Sequence, residues 1–401
     1  MLLIIPGLDK NCFQFQSFTT FEPRTLNLEP ISFGVIMNRV DDLMQEGIQE
    51  SVFPGGVVLA AKDDTVRFFK SYGYANLSTK QPVTTDTCFD LASLTKPLAT
   101  TLAVIKLIQQ SKLELHQKIE TIIPPLANTQ KGSITIEHLL AHTAGLPDYR
   151  PYYKLLERVP PEQRRSALRD FLVKEPLDYP VGECTVYSDI GFMILSWIIE
   201  TISGRRLDRF ALEDIYTPLE LDHLFFVDLK KPDRTKSFAA TEKCSWRKQI
   251  VQGVVHDENA YAAGGIEGHA GLFGTATEVY RLLAVLLEIY HNRLKTPIFD
   301  QDLLRLFLTK QRGFERAFGF DTPSDKNSSC GNYFSSNTVG HLGFTGTSFW
   351  MDLEWRIIVI LLTNRIHPTR TNEEIRAFRP RLHDAVMLSI DKQDSIPVET
   401  A

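Results

Sequence analysis

Pro97 restricts the fold of this chain more than any other residue, because proline has no N–H to give to a helix and its ring clashes with the preceding turn. It stands just ahead of a run of helix formers, Leu98 to Gln109, so a helix has to open close to Ser93. Ser93 and Lys96 are three residues apart and share a face of that helix. The hydroxyl is then beside an amine at a helix N-terminus, where backbone N–H groups are unpaired and negative charge is favoured. A serine so placed can be activated by a lysine instead of a histidine. The plain alternative is a helix cap next to a surface lysine.

Spacing alone does not decide between them, since about one Ser-x-x-Lys match is expected by chance in a chain of this length. Three occur. Ser245 to Lys248 lies in a charged segment with no helical continuation, and Ser389 to Lys392 lies near the C-terminus. Ser93 alone has a helix start fixed behind it.

With 401 residues, 43% of them hydrophobic, the chain can bury a substantial core. Its formal charge of -5 and the lack of a basic block argue against nucleic acid as a partner. Cys12, Cys88, Cys184, Cys244 and Cys330 are scattered singly, which points to buried fillers, not a disulfide framework or zinc site. No cofactor is expected. The opening Met1 to Gly7 lacks a basic lead and falls short of a signal peptide, and no later run reaches membrane length. As written the protein is expected in the cytoplasm; a start further upstream could make it periplasmic.

Ile36, Val40, Leu43 and Met44 recur at helical spacing, so a helix is expected over about 34–49. Val57 to Ala61 and Val66 to Phe69 read as a hairpin around Lys62 to Thr65. From Ser93 to about Asp257 the texture is mainly helical, with helices expected from Thr135, over Asp189 to Ile202 and over Leu207 to Tyr216. Thr275 to Glu278 fits a capping box opening a helix through Tyr290. Ser348 to Asp352 and Arg356 to Leu362 read as an antiparallel pair, the second apolar enough to be central, and a helix from about Asn372 to Leu388 closes the chain. The fold class is therefore α+β: an antiparallel β-sheet flanked by helices with an inserted all-α region. Residues 1–33 form an arm of unclear structure and 393–401 a tail. The catalytic domain spans 34–392, with its sheet part over about 34–92 and 258–392 and its helical insert over about 93–257.

No Gly-x-Ser-x-Gly elbow, His-Glu-x-x-His or phosphate-binding glycine loop is present. A lysine-assisted serine needs a second acid/base, oxyanion donors and a polar wall. Tyr187, two residues before Asp189 at a loop-to-helix junction, supplies the first; Tyr74 and Tyr290, in similar motifs, end a strand and a helix. A phenol acts as base only if cations such as Lys96 lower its pKa. Gly340 to Ser348 supplies the wall, with His341 and Gly343 at its centre and a Phe344 N–H for an oxyanion. The rival His269-Ala270-Gly271 reads as a loop, His256 as structural, and His142 as a brace for the insert.

Taken in order, Ser93-x-x-Lys96, Tyr187-x-Asp189 and His341-x-Gly343 resemble the serine hydrolase family of class C β-lactamases, low-molecular-mass penicillin-binding proteins and related esterases. Phe89 to Lys96, Glu137 to Leu146, Pro180 to Gly182, Gly264-Gly265 with Gly271 to Ala276, and Leu361 to Asn364 also look like that family's landmarks, over about residues 35 to 390. The resemblance implies an antiparallel sheet covered by helices, with Ser93 as acylated nucleophile and Lys96 and Tyr187 sharing the proton transfers. The Ser93 and Phe344 N–H groups would form the oxyanion hole, with Asp189, His341, Gly343 and Phe344 facing the substrate. Two departures matter. His341-Leu342-Gly343 stands where Lys-Thr-Gly is usual, and Asp189 where asparagine is usual. Both lean away from anionic lactams and peptides toward esters or other neutral acyl substrates. D-alanyl-D-alanine carboxypeptidase or weak β-lactamase activity is the rival expectation, and a catalytically silent binding scaffold a further one.

Overall fold

The hairpin expected after Pro54 forms as β1 (Gly55–Lys62) and β2 (Thr65–Asn76), with Asp63 and Asp64 both at positive φ in its turn. Aspartate tolerates that conformation better than most residues. This computed structural model describes residues 38–394 apart from 233, 234 and 312. The expectations for residues 1–33 and for the tail beyond 394 lie outside the described residues.

β1 and β2 belong to a six-stranded antiparallel sheet with β3 (Gln81–Pro82), β9 (Thr338–Leu342), β10 (Ser348–Asp352) and β11 (Ile357–Thr363), in the order β3-β2-β1-β11-β10-β9. The earliest and latest strands are neighbours, Val57 opposite Leu362 and Ala60 opposite Val359. β11 is buried at every position, as its unbroken apolar run predicts for a central strand. Its side chains alternate. Ile357, Val359 and Leu361 pack with Val40, Leu43 and Met44 of α1 (Asn38–Gln49) and with Phe378, Leu382 and Val386 of α11 (Ile375–Asp394). The other face is covered by α9 (Ala276–Tyr290), whose N-cap Thr275 accepts from the Glu278 N–H as the capping box requires. Each fully buried aliphatic side chain here contributes about 1.5–3 kcal/mol.

The stretch from Ser93 to Asp257 is mainly helical: α2 (Leu102–Gln109), α3 (Ile136–Leu140), α4 (Tyr153–Leu156), α5 (Arg164–Lys174), α6 (Asp189–Ser203) and α7 (Leu207–Ala211). α6 is capped by Ser188 and ended by Gly204 at φ 68. The stretch also carries three strands. β5 (Leu224–Phe226) pairs with β8 (Leu272–Gly274), which pairs in turn with β4 (Phe89–Asp90). β6 (Ala240–Cys244) and β7 (Gln249–Gln252) close a hairpin around the charged segment at Ser245. Strands this short show no period-2 signal. Two further helices, α8 (Glu258–Ala262) and α10 (Gln301–Leu308), follow. Cys88, Cys244 and Cys330 are buried, Cys184 partly so. Among the described residues, no helix is long and apolar enough to cross a membrane.

Candidate active site

β4 delivers the chain to Ser93 through a tightly bonded corner. The buried Asp90 carboxylate accepts from the Ala92 N–H at 2.9 Å and the His256 N–H at 2.6 Å. Burial nevertheless pushes its pKa up. Ala92 sits at φ 48, a strained value for a residue with a Cβ. Ser93 lies in the short turn Ala92–Leu94, and the helix proper opens at Lys96 with a π turn over Lys96–Thr101 before α2. Pro97 is the second residue of that helix, where no N–H is needed. Such π turns are rare and cluster at functional sites.

Lys96 is wholly buried, and its Nζ lies 3.1 Å from Ser93 Oγ, 2.7 Å from Asp189 Oδ1 and 3.2 Å from the His269 carbonyl. Three donor hydrogens thus meet three acceptors, the arrangement of an ammonium. Burial works to lower the Lys96 pKa, but the charge of Asp189 and the neighbouring Tyr187 prevail and raise it. Tyr187 stacks its ring 4.8 Å from Lys96 Nζ, 4.7 Å from the His142 ring and 5.9 Å from the His341 ring. Burial raises its pKa, opposed by Lys96 and by hydrogen bonding with Lys96 and Ser93. His142, neutral because burial and Arg316 depress its pKa, accepts from the Ser188 N–H at 3.0 Å and so steadies the loop that carries Tyr187. The expected brace acts at the site itself.

Asp189, expected on the substrate wall, is the ion-pair partner of Lys96. Its carboxylate, that of Asp257 and the His269 ring have polar atoms within 4.8 Å of one another. Of these three side chains, the Asp189 carboxylate is the one paired with the Lys96 ammonium. His269 Nε2 donates to Asp257 Oδ1 at 2.9 Å. Burial disfavours a charged His269, yet Asp257 outweighs it and raises the pKa. Around His269 the chain runs beside the helix that opens at Lys96: Thr100 Oγ1 donates to the Gly268 carbonyl at 2.6 Å, and the Leu272 N–H to Thr95 Oγ1 at 3.1 Å. A Cβ on Gly268 would meet the Phe192 carbonyl oxygen at 2.1 Å. The sequence reading of this segment as a loop misses its contact with Lys96. That contact comes from a backbone carbonyl, which no side-chain motif announces.

The wall forms at the end of β9. His341 is buried, and its Nδ1–H donates to the Leu342 carbonyl at 2.9 Å. Burial, aided by Lys96, pushes its pKa down to about 3, so the imidazole is neutral. Gly343 admits no side chain, since a Cβ would meet Thr347 Oγ1 at 2.0 Å and the Leu91 carbonyl oxygen at 2.7 Å. The turn that follows is tied to the corner before Ser93, with Thr345 Oγ1 donating to the Asp90 carbonyl at 2.7 Å and Thr347 Oγ1 to that of Leu91 at 3.1 Å. The Phe344 N–H has no acceptor among the described residues. Its ring lies between His256, 5.7 Å away, and the Arg365 guanidinium, 4.6 Å away.

An antiparallel sheet with helices on both faces, carrying at its edge a half-buried serine and tyrosine around a buried lysine, defines the class of serine hydrolases built on the β-lactamase and transpeptidase fold. The sequence model of the Beta-lactamase family matches residues 40–381, and the chain belongs to that family of serine hydrolases. It is 33% identical over 387 residues to an N-acetylmuramyl-L-alanine amidase of Bacillus subtilis (strain 168), covering 86% of this chain and 85% of that protein. It is 30% identical over 363 residues to a proposed D-alanyl-D-alanine carboxypeptidase of Escherichia coli (strain K12), covering 82% of each. Among solved structures it resembles EstCE1, a hydrolase with promiscuous acyltransferase activity, with a TM-score of 0.70 at 24% identity over 88% of this chain and 98% of that one.

Proposed function

We propose that the protein is a serine acyl-hydrolase working through an acyl-enzyme on Ser93, with esters and other neutral acyl groups preferred. The observation that carries this reading is the 3.1 Å contact between Ser93 Oγ and a fully buried Lys96 whose other donors are taken by Asp189 and the His269 carbonyl. Ser93 Oγ attacks the substrate carbonyl carbon as its proton passes into the Lys96–Tyr187 pair, and the carbonyl oxygen becomes an oxyanion facing the Ser93 and Phe344 N–H groups. The same proton then goes to the leaving group as the carbonyl re-forms. Water, deprotonated by the same pair, cleaves the acyl-enzyme and restores Ser93. An ammonium accepts no proton, and neither does a phenol that burial keeps protonated, so Lys96 takes part as base only after handing a proton to the Asp189 carboxylate at 2.7 Å.

The preference for neutral groups follows from a neutral His341 and from Asp189 beside the reacting serine. A second reading, hydrolysis of an amide or peptide bond in the manner of an amidase or carboxypeptidase, is favoured by the names of the two curated relatives. The test treats the protein and Ser93→Ala with a fluorophosphonate probe, short p-nitrophenyl esters, a chromogenic cephalosporin and a muropeptide. Labelling and ester turnover are expected in the parent alone. Equal labelling of Ser93→Ala would overturn the mechanism, and turnover of the muropeptide but no ester would transfer the assignment to the second reading.

A further inference from the structure

The peptide unit between Gly343 and Phe344 has a function proposed for one end only. Its N–H is the candidate oxyanion donor. Its carbonyl accepts from Arg379 Nη2 at 3.0 Å, and the same nitrogen donates to the Thr347 carbonyl at 2.8 Å. Arg379 reaches this turn from α11 and is 5% exposed, and no carboxylate pairs with it among the described residues. Burial, with repulsion from Arg365 and Arg376, pushes its pKa down to about 9, so it remains charged at neutral pH.

A buried cation without a counter-ion is costly, and a neutral amide could hold the same carbonyl without that cost. The charge therefore calls for a use beyond holding the turn. A peptide group is conjugated, so a cation at its oxygen draws electron density through the C–N bond and strengthens its N–H as a donor. Arg365 braces the adjoining peptide, its Nε donating to the Phe344 carbonyl at 2.9 Å. We infer that Arg379 is a positioning residue for the oxyanion hole, orienting and polarising the Gly343–Phe344 peptide so that the Phe344 N–H binds developing negative charge more strongly. The inference rests on the acyl-hydrolase reading above.

The test uses Arg379→Gln, which keeps an N–H for the carbonyl and removes the charge. Losing a whole oxyanion donor costs roughly 10²–10³ in rate, so weakening one is expected to lower kcat/KM for p-nitrophenyl butyrate about tenfold, with KM within twofold. A boronic acid, which mimics the tetrahedral state, should bind weaker by the same factor. In the acyl-enzyme formed with a carbonyl-labelled acyl group, the infrared carbonyl band should move to higher wavenumber. Arg379→Lys, which keeps a cation, should stay nearer the parent. A folded Arg379→Gln with parental band position and kcat/KM overturns the inference. Should that variant not fold, Arg379→Met takes its place, because a hydrophobic side chain often replaces a buried charge at little cost; an unmoved band is again decisive against. An acyl band that forms on Ser93 but ignores Arg379 sinks this inference alone, whereas labelling that survives in Ser93→Ala sinks the acyl-hydrolase reading.

Discussion

Lys96 and Asp189 form an ion pair of 2.7 Å in which the lysine is wholly buried and the aspartate side chain is 20% exposed. Lys96 Nζ also lies 3.1 Å from Ser93 Oγ, so in the proposed mechanism the charge of the pair governs how readily the serine proton is taken up. Asp189→Asn removes the charge that raises the Lys96 pKa. The lysine then deprotonates at lower pH, and the acidic limb of kcat/KM should move down by about one unit or more. Stability responds as well. A group whose pKa is raised on folding stabilises fully below its unfolded value, near 10.5 for Lys96, and loses that contribution as pH climbs through the folded value. Urea denaturation at pH 7 should therefore show Asp189→Asn destabilised, on the order of 3 kcal/mol. The gap should narrow above pH ~10.5.

Tyr187 shares the proton in the proposed mechanism, and its ring packs against Lys96, His142 and His341 with no need of the hydroxyl. Tyr187→Phe keeps that packing. It should lower kcat/KM for esters by roughly 10²–10⁴ while changing the melting temperature little. Steady-state kinetics beside a thermal melt measures both, and a rate within threefold of the parent would remove the phenol from the chemistry.

His341 holds a different kind of information. Its pKa is pushed down to about 3, so it contributes no inflection to the rate profile between pH 5 and 8. It does affect acid stability: a histidine depressed on folding stabilises above its unfolded value, near 6.5, and that contribution is lost as pH falls toward 3. His341→Gln should thus lose less stability than the parent between pH 7 and pH 4 in urea titrations. His341→Lys, adding a cation to the wall, should shift preference toward substrates bearing a carboxylate. An unchanged ratio of anionic to neutral ester turnover would remove His341 from the specificity argument.

The parts of the candidate site written as short spacings can be read in the sequence. Ser93 and Lys96 stand three residues apart with a proline behind them, though Ser93 lies in the turn just ahead of the helix, and Tyr187 and His341 each stand at a junction that glycine, proline or a strand start marks out. The central place of β11 could likewise be read from its apolar run. What stayed hidden depends on contacts across the chain. His269 reaches Lys96 by a carbonyl, and Asp257 reaches His269 from the cap of a five-residue helix. Arg379 looks like any surface arginine of a C-terminal helix until the turn it supports is folded beneath it. Strands β5 to β7 were hidden for a different reason, being too short or too polar to set a period.

His269 and Asp257 give a direct check on that hidden layer. The imidazole is held protonated above its ordinary value by Asp257, against the cost of burial. In the parent, its carbon signal in a histidine-labelled NMR titration should titrate above pH ~6.5, and in Asp257→Asn below it. The linked stability runs the same way: it is present below the unfolded value and lost as pH rises through the folded one. Asp257→Asn should therefore differ most from the parent below pH ~6.5. An imidazole that titrates alike in both proteins would show that Asp257 does not control it.

Gly343 tests whether the wall has to approach this closely. A methyl group there would meet Thr347 Oγ1 at 2.0 Å and the Leu91 carbonyl oxygen at 2.7 Å, and the second contact is with backbone that cannot rotate away. The turn has to retreat from the corner before Ser93, carrying the Phe344 N–H with it and stretching the 2.7 Å bond from the Gly343 N–H to the Thr347 carbonyl. Donors displaced by even a fraction of an ångström lose most of their hold on an oxyanion, whereas substrate binding elsewhere is unaffected. Gly343→Ala is accordingly expected to lower kcat by roughly 10²–10³, with KM changed much less. It should also cost about 1–3 kcal/mol of stability from overpacking. Fluorophosphonate labelling, which needs the serine and the oxyanion hole together, should slow in step with kcat. A variant that labels and turns over at the parental rate would place the oxyanion donors elsewhere.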